Sequence, residues 1–577
     1  MKTRDIRFAT PKAPRQQLVL YAQSVDEMIP ADAPVRQLVA LLDELDWAPW
    51  EKTYAGFGQP PIHPRYLAAA ILLGLMNRVR SSRDLERAAC KHLDFIWLLE
   101  GFTPDHSTFA NFRVEHAGSI QDLQRQIAEK LVRRRATALL ELIIDGTRLR
   151  ADSDRHGARS AKTIEVIIKE LEGRLEEMKR NDGETVPQTG YFEGVEAPGD
   201  ETDKVAWVNG QIARLEKQRE KYQKARDIAR QRDQRAKEHN GEKAKPVRVP
   251  VTDPEAQVAP NKEGGYAPNY TPVAAIDAAT GAILHADVLE GSDEAGAVLP
   301  AVEAAKELTG QTPSAVLSDG NFATGEVLAA LEAQSIEAYM PTRSASPLDN
   351  PALRPDSTAP VAEEDKARLP RSGGQFARTA FVYDAEADVY HCPAGHTMTP
   401  SKHGKNKSGI ACVYYQCHAC PSCPWAKDCI KGKAPHRTIL RDEYEPLREA
   451  TDARMASEAG RAIYKKRAPG IEGVFARIKS CMGIRRFARR GLKKVRCDWN
   501  WICTAYNLKK LLAKEAKAAG GAPQNGPEDA LLSHPRPSLP LLRAVGAYCT
   551  RIIWNHASRS VCHAPQRGCQ PWKFGIA

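Results

Sequence analysis

The sequence predicts a mixed α/β protein with added helical and cysteine-rich segments, on three observations. Strand-like apolar runs, LLELIID (139–145) and SAVLSD (314–319), stop on an acid that is followed by Gly. Segments of helical period alternate with further strands between residues 269 and 342. A cysteine-crowded stretch at 373–446 then interrupts the pattern before the chain returns to helix at 447–515.

The elements follow in order. Residues 1–136 read as a helical N-terminal domain. HPRYLAAAILLGLMNRV (63–79) is almost continuously apolar, which predicts a buried helix. SSRDLERAACKH follows, with Ser81 or Ser82 placed to cap it. TPDHSTFANFRVEHAGSI and QDLQRQIAEKLVRRR supply more helix. Short helices with scattered Arg fit a DNA-binding module of helix-turn-helix kind, and equally a plain helical cap.

A second region, 137–345, opens with the strand 139–145. Within it, 161–240 changes character: Ile164, Ile168, Leu171, Leu175 and Met178 recur at 4-3-4-3 spacing, a short heptad pattern. After a polar turn (roughly 181–202), Val208, Ile212, Leu215 and Tyr222 share one face of a second charged helix, which predicts a helical hairpin of coiled-coil type. NYTPVAAIDAATGAILHADVLEG (269–291) reads as two strands around a turn. A helix (about 293–308), the strand 314–319, a helix (324–334) and the strand 337–342 complete the series. Strand, insert, strand, strand, helix, strand, helix, strand, closed by a helix, is the order of an RNase H-like mixed sheet. Residues 346–446 comprise a loop and the cysteine module, 447–515 form a C-terminal helical region, and 516–577 read as linker.

Charge narrows the function. Residues 461–496 carry thirteen Lys and Arg against a single acid, Glu472, and this stretch accounts for the whole net charge of +11. Its basic residues, Arg477, Arg485 and Arg486 among them, are interleaved with Phe475, Ile478, Ile484, Phe487 and Val495. A charge run is often only a solvated face; folded structure presenting charge to nucleic acid is the alternative. No apolar run is long enough to span a bilayer, and the N-terminus lacks a signal peptide's apolar stretch, so an intracellular, reducing location without a membrane partner is expected.

Asp145 and Asp319 each end an apolar strand, the edge of an α/β sheet at which ligands bind. Asp-Gly also makes ordinary turns. Glu472 weighs against the turn-only reading. IEGVFARIK (471–479) puts Ile471, Val474, Phe475 and Ile478 on one helical face, and Glu472, Ala476 and Lys479 on another. Glu472 is either a local ion-pair partner of Arg467 or Lys479, or the third carboxylate of a metal site in a basic groove. Metal-assisted chemistry on phosphodiesters requires such carboxylates.

Several blocks carry a family resemblance: HPRYLAAAILLGLMNRVRSSRDLE, TPDHSTFANFR, IIDGT, GGYAPNYTPVAAIDAATGAIL, LSDGNF, YHCPAGH and RAPGIEGVFARIKSCMGIRRFARRGLKKVRCDWNWICTAYNLKKLL. Over most of residues 15–515 the chain resembles the DDE transposases of bacterial insertion sequences. The branch is the one with a helical N-terminal domain and a Cys-rich segment before the last acid. The resemblance implies an RNase H-like fold with Asp145, Asp319 and Glu472 as catalytic triad, holding magnesium or manganese. It implies that Tyr464, Arg467 and Lys479 accompany Glu472 as in the Tyr-Arg-Glu-Lys signature; Arg477, Arg485 and Arg486 of the basic stretch are further expected DNA contacts. In that signature three residues separate Arg from Glu; here four do. The second-acid block reads Asp-Gly-Asn-Phe where Asp-Ala-Gly-Tyr is usual. The activity implied is cleavage at transposon ends and strand transfer into target DNA, by a homodimer on double-stranded DNA, in the bacterial cytoplasm at the nucleoid. The alternatives are an RNase H-like nuclease that cuts without joining and an inactive, transposase-derived DNA-binding protein.

The cysteine module offers Cys392, His396, Cys417, Cys420, Cys423 and Cys429. Two overlapping Cys-x-x-Cys spacings, a Cys-x3-His and a further Cys predict a structural zinc site. Six candidates exceed four positions; Cys392, Cys417, Cys420 and Cys423 are preferred, with Cys429 or His396 as substitutes. Cys90, Cys481, Cys497 and Cys503 fall on helices and are expected to fill the core.

Overall fold

The computed structural model describes residues 24–54, 61–134, 140–180, 201–260, 264–291, 293–342, 349–406, 409–432 and 434–518. The linker-like tail beyond 518, most of the turn at 181–202 and part of the loop after 342 lie outside the described residues. The described residues divide into two compact units, one within 1–116 and joined by the chain from 512 onward, the other within 117–511.

The first unit is helical, with α1 (Pro34–Asp43), α2 (Pro64–Met76), α3 (Ser82–Lys91), α4 (Leu93–Leu98) and α5 (His106–Glu115). Every residue of α2 from Leu67 to Met76 is buried, as its unbroken apolar sequence requires. Ser81 caps α3 by accepting from the Asp84 N–H at 3.1 Å, and Asp105 caps α5 through the Thr108 N–H at 2.7 Å. Trp50, fully buried, stacks on Phe112 and His116 at the centre of the unit.

The second unit is built on a mixed seven-stranded sheet. Its strands are β1 (Glu141–Gly146), β2 (Leu149–Arg150), β3 (Gln257–Pro260), β4 (Tyr266–Asp277), β5 (Ile283–Leu289), β6 (Ala315–Leu317) and β7 (Glu337–Tyr339). The path runs β2-β4-β1-β6-β7, with β3 and β5 also paired to β4. β1 is central, antiparallel to β4 and parallel to β6. Leu142, Ile143 and Ile144 are all buried, so β1 is covered on both faces. Truncating any one of them to Ala costs about 2–5 kcal/mol by the usual core penalty.

The predicted turn between β4 and β5 is closed by Asp277, whose Oδ2 accepts from the Thr280 hydroxyl at 2.6 Å and the Thr280 N–H at 3.2 Å. Gly281 completes it at φ +64°, a conformation that disfavours other residues.

Helices α6 (Ser119–Val132), α9 (Val298–Thr309) and α10 (Gly325–Glu332) accompany the sheet. So does α13 (Leu492–Ala518), whose Trp499 indole donates to the Val273 carbonyl at 3.0 Å. The Asn507 amide bonds both backbone groups of Ile283, at 2.9 and 2.8 Å. It thereby satisfies part of an outer strand that would otherwise be unpaired. This arrangement is compatible with an RNase H-like core. The short strands β2 and β3 were not anticipated, because two to four residues give no legible alternation.

Between β2 and β3 lie α7 (Ala161–Arg180) and α8 (Glu201–Asn240). The five heptad residues of α7 are buried. Leu171, Leu175 and Met178 pack with Val208 and Leu215, and Ile164 and Ile168 with Ala225 and Val251. Lys179–Glu216 and Arg230–Glu165 ion pairs at 2.7 and 2.8 Å flank this seam.

Beyond β7, five antiparallel strands in sequential order make a meander: β8 (Val382–Asp384), β9 (Val389–His391), β10 (Thr397–Lys405), β11 (Ala411–Gln416) and β12 (Thr438–Asp442). The stretch read as loop before it contains a 3-10 turn, Glu363–Arg368, and a small strand pair, Arg371–Ser372 with Gln375–Phe376. Helices α11 (Glu445–Ala456) and α12 (Glu458–Tyr464) then lead into the basic stretch.

Candidate functional site

The site begins with a register. In the parallel pair β1–β6, Glu141 lies opposite Ala315, Leu142 opposite Val316 and Ile143 opposite Leu317. Carried two residues further, the same offset brings Asp145 level with Asp319 at the carboxyl ends of adjacent strands. The Asp145 Oδ1 accepts from the Gly146 N–H at 2.8 Å, and the Asp319 Oδ1 from the Asn321 N–H at 2.9 Å. Asp145-Gly146 thus remains within β1, paired with Ala274 and Val273 of β4, whereas Asp319-Gly320 leaves its strand through a local turn.

The second contribution comes from the basic stretch. The Arg467 guanidinium donates to the Asp145 Oδ2 at 3.0 Å and stands 4.0 Å from the Asp319 Oδ2. One cation thus bridges the two acids, with Asp145 and Arg467 side chains only 13% and 14% exposed. Tyr464 adjoins Arg467 and both aspartates, and its hydroxyl is held above the ordinary value by burial. The Lys479 Nζ donates to the Thr147 hydroxyl at 2.5 Å, two residues beyond Asp145. Burial pushes the Asp145 carboxyl up to about 6; Arg467 and the Gly146 N–H act against that rise, and Asp319 and Glu294 add to it.

Glu472 does not join this cluster. It is exposed, and the ion pairs of Asp145 and Asp319 run to Arg467 instead. The predicted faces of its helix are observed: Ile471, Val474, Phe475 and Ile478 are buried, and Ala476 is exposed. Residues Ala468–Glu472 form a π-helical turn, followed by α-helix at Gly473–Ala476 and a second π turn at Arg477–Cys481. A π turn accommodates one more residue than an α turn. The four residues between Arg467 and Glu472 lie within this turn, and Arg467 reaches Asp145 at the end of β1. Gly470 sits against that sheet so closely that a Cβ would fall 2.8 Å from the Ile143 Cδ1.

The remaining basic residues line an adjoining edge. The Arg150 N–H donates to the Arg485 carbonyl at 3.2 Å and the Phe487 N–H to the Arg150 carbonyl at 2.9 Å, so residues 485–487 extend the sheet beside β2. Ile484 and Phe487 are buried while Arg485 and Arg486 are exposed, and Arg477 is exposed on its helix. The interleaving in the sequence is thus an apolar anchor under a basic surface.

In the cysteine module, Cys392, His396, Cys417, Cys420, Cys423 and Cys429 all line one small cavity, closed by Phe381, Trp425 and Arg437. Cys392 and Cys417 are hydrogen-bonded through sulfur, which holds the Cys392 thiol below the ordinary value. The same bond, with burial, raises Cys417. Burial pushes Cys429 up to about 12. The Arg437 N–H donates to the Cys420 sulfur at 3.3 Å and the His396 N–H to the Cys392 sulfur at 3.3 Å. Among the described residues no three His, Cys, Asp or Glu side chains stand as a group that could hold a metal ion as placed, here or at the aspartates. Among the described residues the expected zinc site is thus not placed as a formed cluster, although all six candidate ligands line one cavity. Of the four helical cysteines, Cys497 and Cys503 are buried, whereas Cys90 and Cys481 are partly exposed and do not fill the core.

Sequence reasoning missed two polar residues beside the aspartates, Glu294 and Asn321. The Asn321 amide donates to the Glu294 Oε2 at 3.1 Å. Asn321 lies within the quoted Asp-Gly-Asn-Phe block, whereas Glu294 falls at the start of the helix expected over about 293–308, where no motif marks it.

The site is thus a mixed sheet with two acids level at its strand ends, beside a folded basic surface. Comparison with known families is more particular. Residues 391–512 match the model of a transposase DDE domain, and residues 23–115 that of a transposase domain (DUF772). Together the two matches are those of a DDE transposase of an insertion sequence. The first covers Arg467, Glu472 and Lys479; Asp145 and Asp319 lie outside both. No curated protein matches the chain. Among the described residues no helix is long and apolar enough to cross a membrane.

Proposed function

We propose that this transposase cleaves DNA at transposon ends and transfers the freed strand into target DNA, using Asp145, Asp319 and Glu472. The observation that carries this reading is the Arg467 guanidinium seated between Asp145 and Asp319. A cation already occupies the space between two level carboxylates, and a divalent ion is a chemically suitable replacement. Asp145 and Asp319, with Glu472 from the adjacent helix, would hold magnesium or manganese. Such an ion supplies charge that activates a hydroxyl nucleophile and stabilises the leaving oxygen.

The chain's own groups do the rest. Arg467 and Lys479, beside the aspartates, are placed to take phosphates flanking the scissile bond, and Tyr464 steadies Arg467. Arg477, Arg485 and Arg486 extend the contact along the duplex backbone, while residues 1–136 contribute further DNA binding. We place the reaction on the bacterial nucleoid, with a homodimer holding paired ends. Incubating end-containing duplex with the protein and magnesium tests the reading: nicking at the end followed by joining to a target is expected. Nicking without joining would leave a nuclease only.

Two further results are expected. Lys479→Ala weakens end binding across sequences and lowers the slope of log affinity against log salt by about 1, since one phosphate contact is lost. A salt titration of binding checks this. The cysteine module takes up zinc on four of its six candidate ligands, because thiolates and imidazole suit that ion. Protein purified without chelator should carry about one zinc per chain; metal analysis giving near-zero zinc would remove the assignment.

A further inference from the structure

We propose that Glu294 is a positioning residue that fixes the spacing of Asp145 and Asp319, a role that rests on their assignment above as the metal-holding pair. Glu294 is half-buried and immediately precedes the 3-10 turn Ala295–Ala297 that leads into α9. An acid at a helix start usually serves the helix, by capping or by its charge. Here its side chain makes no cap bond to the turn. The Ala295 N–H is taken by the Asp293 Oδ1 instead, at 3.1 Å.

The Glu294 carboxylate instead spans the end of β1 and the loop that follows β6. Its Oε2 accepts from Asn321, two residues past Asp319, at 3.1 Å. Its Oε1 lies against the backbone just past Asp145, where a Cβ on Gly146 would come within 3.0 Å of it. Asn321 in turn gives its N–H to Asp319 at 2.9 Å. One side chain therefore lies against the end of β1 beside Asp145 and holds the Asp319 loop through an amide. Residues that orient a metal's ligands through hydrogen bonds commonly govern its affinity.

The test uses the full-length protein and manganese alone, with binding read from the free-ion signal in electron paramagnetic resonance and folding from near-ultraviolet circular dichroism. Asp145→Asn defines the binding that belongs to the pair. Glu294→Ala and Asn321→Ala should each weaken that binding about tenfold. The double variant should be no worse than either single one, because both break the same link. Glu294→Gln, whose amide oxygen still accepts from Asn321, should stay close to wild type. Unchanged affinity in Glu294→Ala, additive losses in the double variant, or a Gln variant as weak as the Ala variant would each overturn the positioning role. If wild type shows no manganese binding that Asp145→Asn removes, the pair assignment fails and takes this proposal with it. If Asp145→Asn removes binding while Glu294→Ala does not, only the role of Glu294 fails.

Discussion

Asp145→Asn and Asp319→Asn are each expected to cut strand cleavage on the order of 10³-fold or more, the scale at which charge positioning acts in phosphoryl transfer. Binding of end DNA should stay close to wild type, because the phosphate contacts come from the basic surface. Gel-resolved cleavage and equilibrium binding on the same substrate check both halves; retained cleavage in magnesium would remove the assignment. Asp145 adds a second signature. Burial raises its carboxyl from the ordinary 3.8 to about 6 in the folded protein. Between those values the unfolded chain is ionised and the folded one keeps its proton, so folding is favoured at the acid end. That contribution is complete below the unfolded value and lost as pH rises through about 6. It amounts to at most on the order of 3 kcal/mol. In Asp145→Asn this part of the pH dependence disappears, which denaturant unfolding between pH 4.5 and 7.5 would detect.

Glu472→Gln should abolish cleavage on the same scale, on the order of 10³-fold, with a different stability profile. Glu472 is exposed on its helix, so replacing it should leave the melting temperature as it is. End binding should persist or tighten, since a negative charge leaves a basic surface. A variant that still cuts would deny Glu472 its place as third acid, whatever becomes of the aspartates. The pairing of a silent stability effect with a lost activity separates a reacting group from a structural one.

How much of this could be read in advance depends on the physical scale of each feature. β1 was legible because Leu142, Ile143 and Ile144 form an apolar run that ends abruptly on Asp145. The seam of α7 was legible because its heptad spacing repeats over five residues. The face of the helix around Glu472 followed from simple angular arithmetic, since most of that segment keeps helical period. The π turn at Ala468–Glu472 was not legible, because one extra residue changes hydrogen bonding without changing composition. Glu294 stayed hidden for another reason. Its partners, Gly146 and Asn321, are remote in sequence, and only the strand register brings them within reach. The cysteines were legible as a group that meets, since all six candidates line one cavity, but spacing does not say whether sulfur faces sulfur or an ion.

The pairing of β1 with β6 also orders events in time. The two strands lie 174 positions apart, as Glu141 and Ala315 do. At typical synthesis rates of 5–20 residues per second, roughly 10–35 s pass between the emergence of one and of the other. β4, which flanks β1 on its opposite side, emerges earlier, and Arg467 emerges later than all of them. A nascent chain therefore holds half of a carboxylate pair well before it holds the other half, and both before the residue that bridges them. The chemistry proposed for the carboxylate pair therefore waits until nearly all of the folded core has been made.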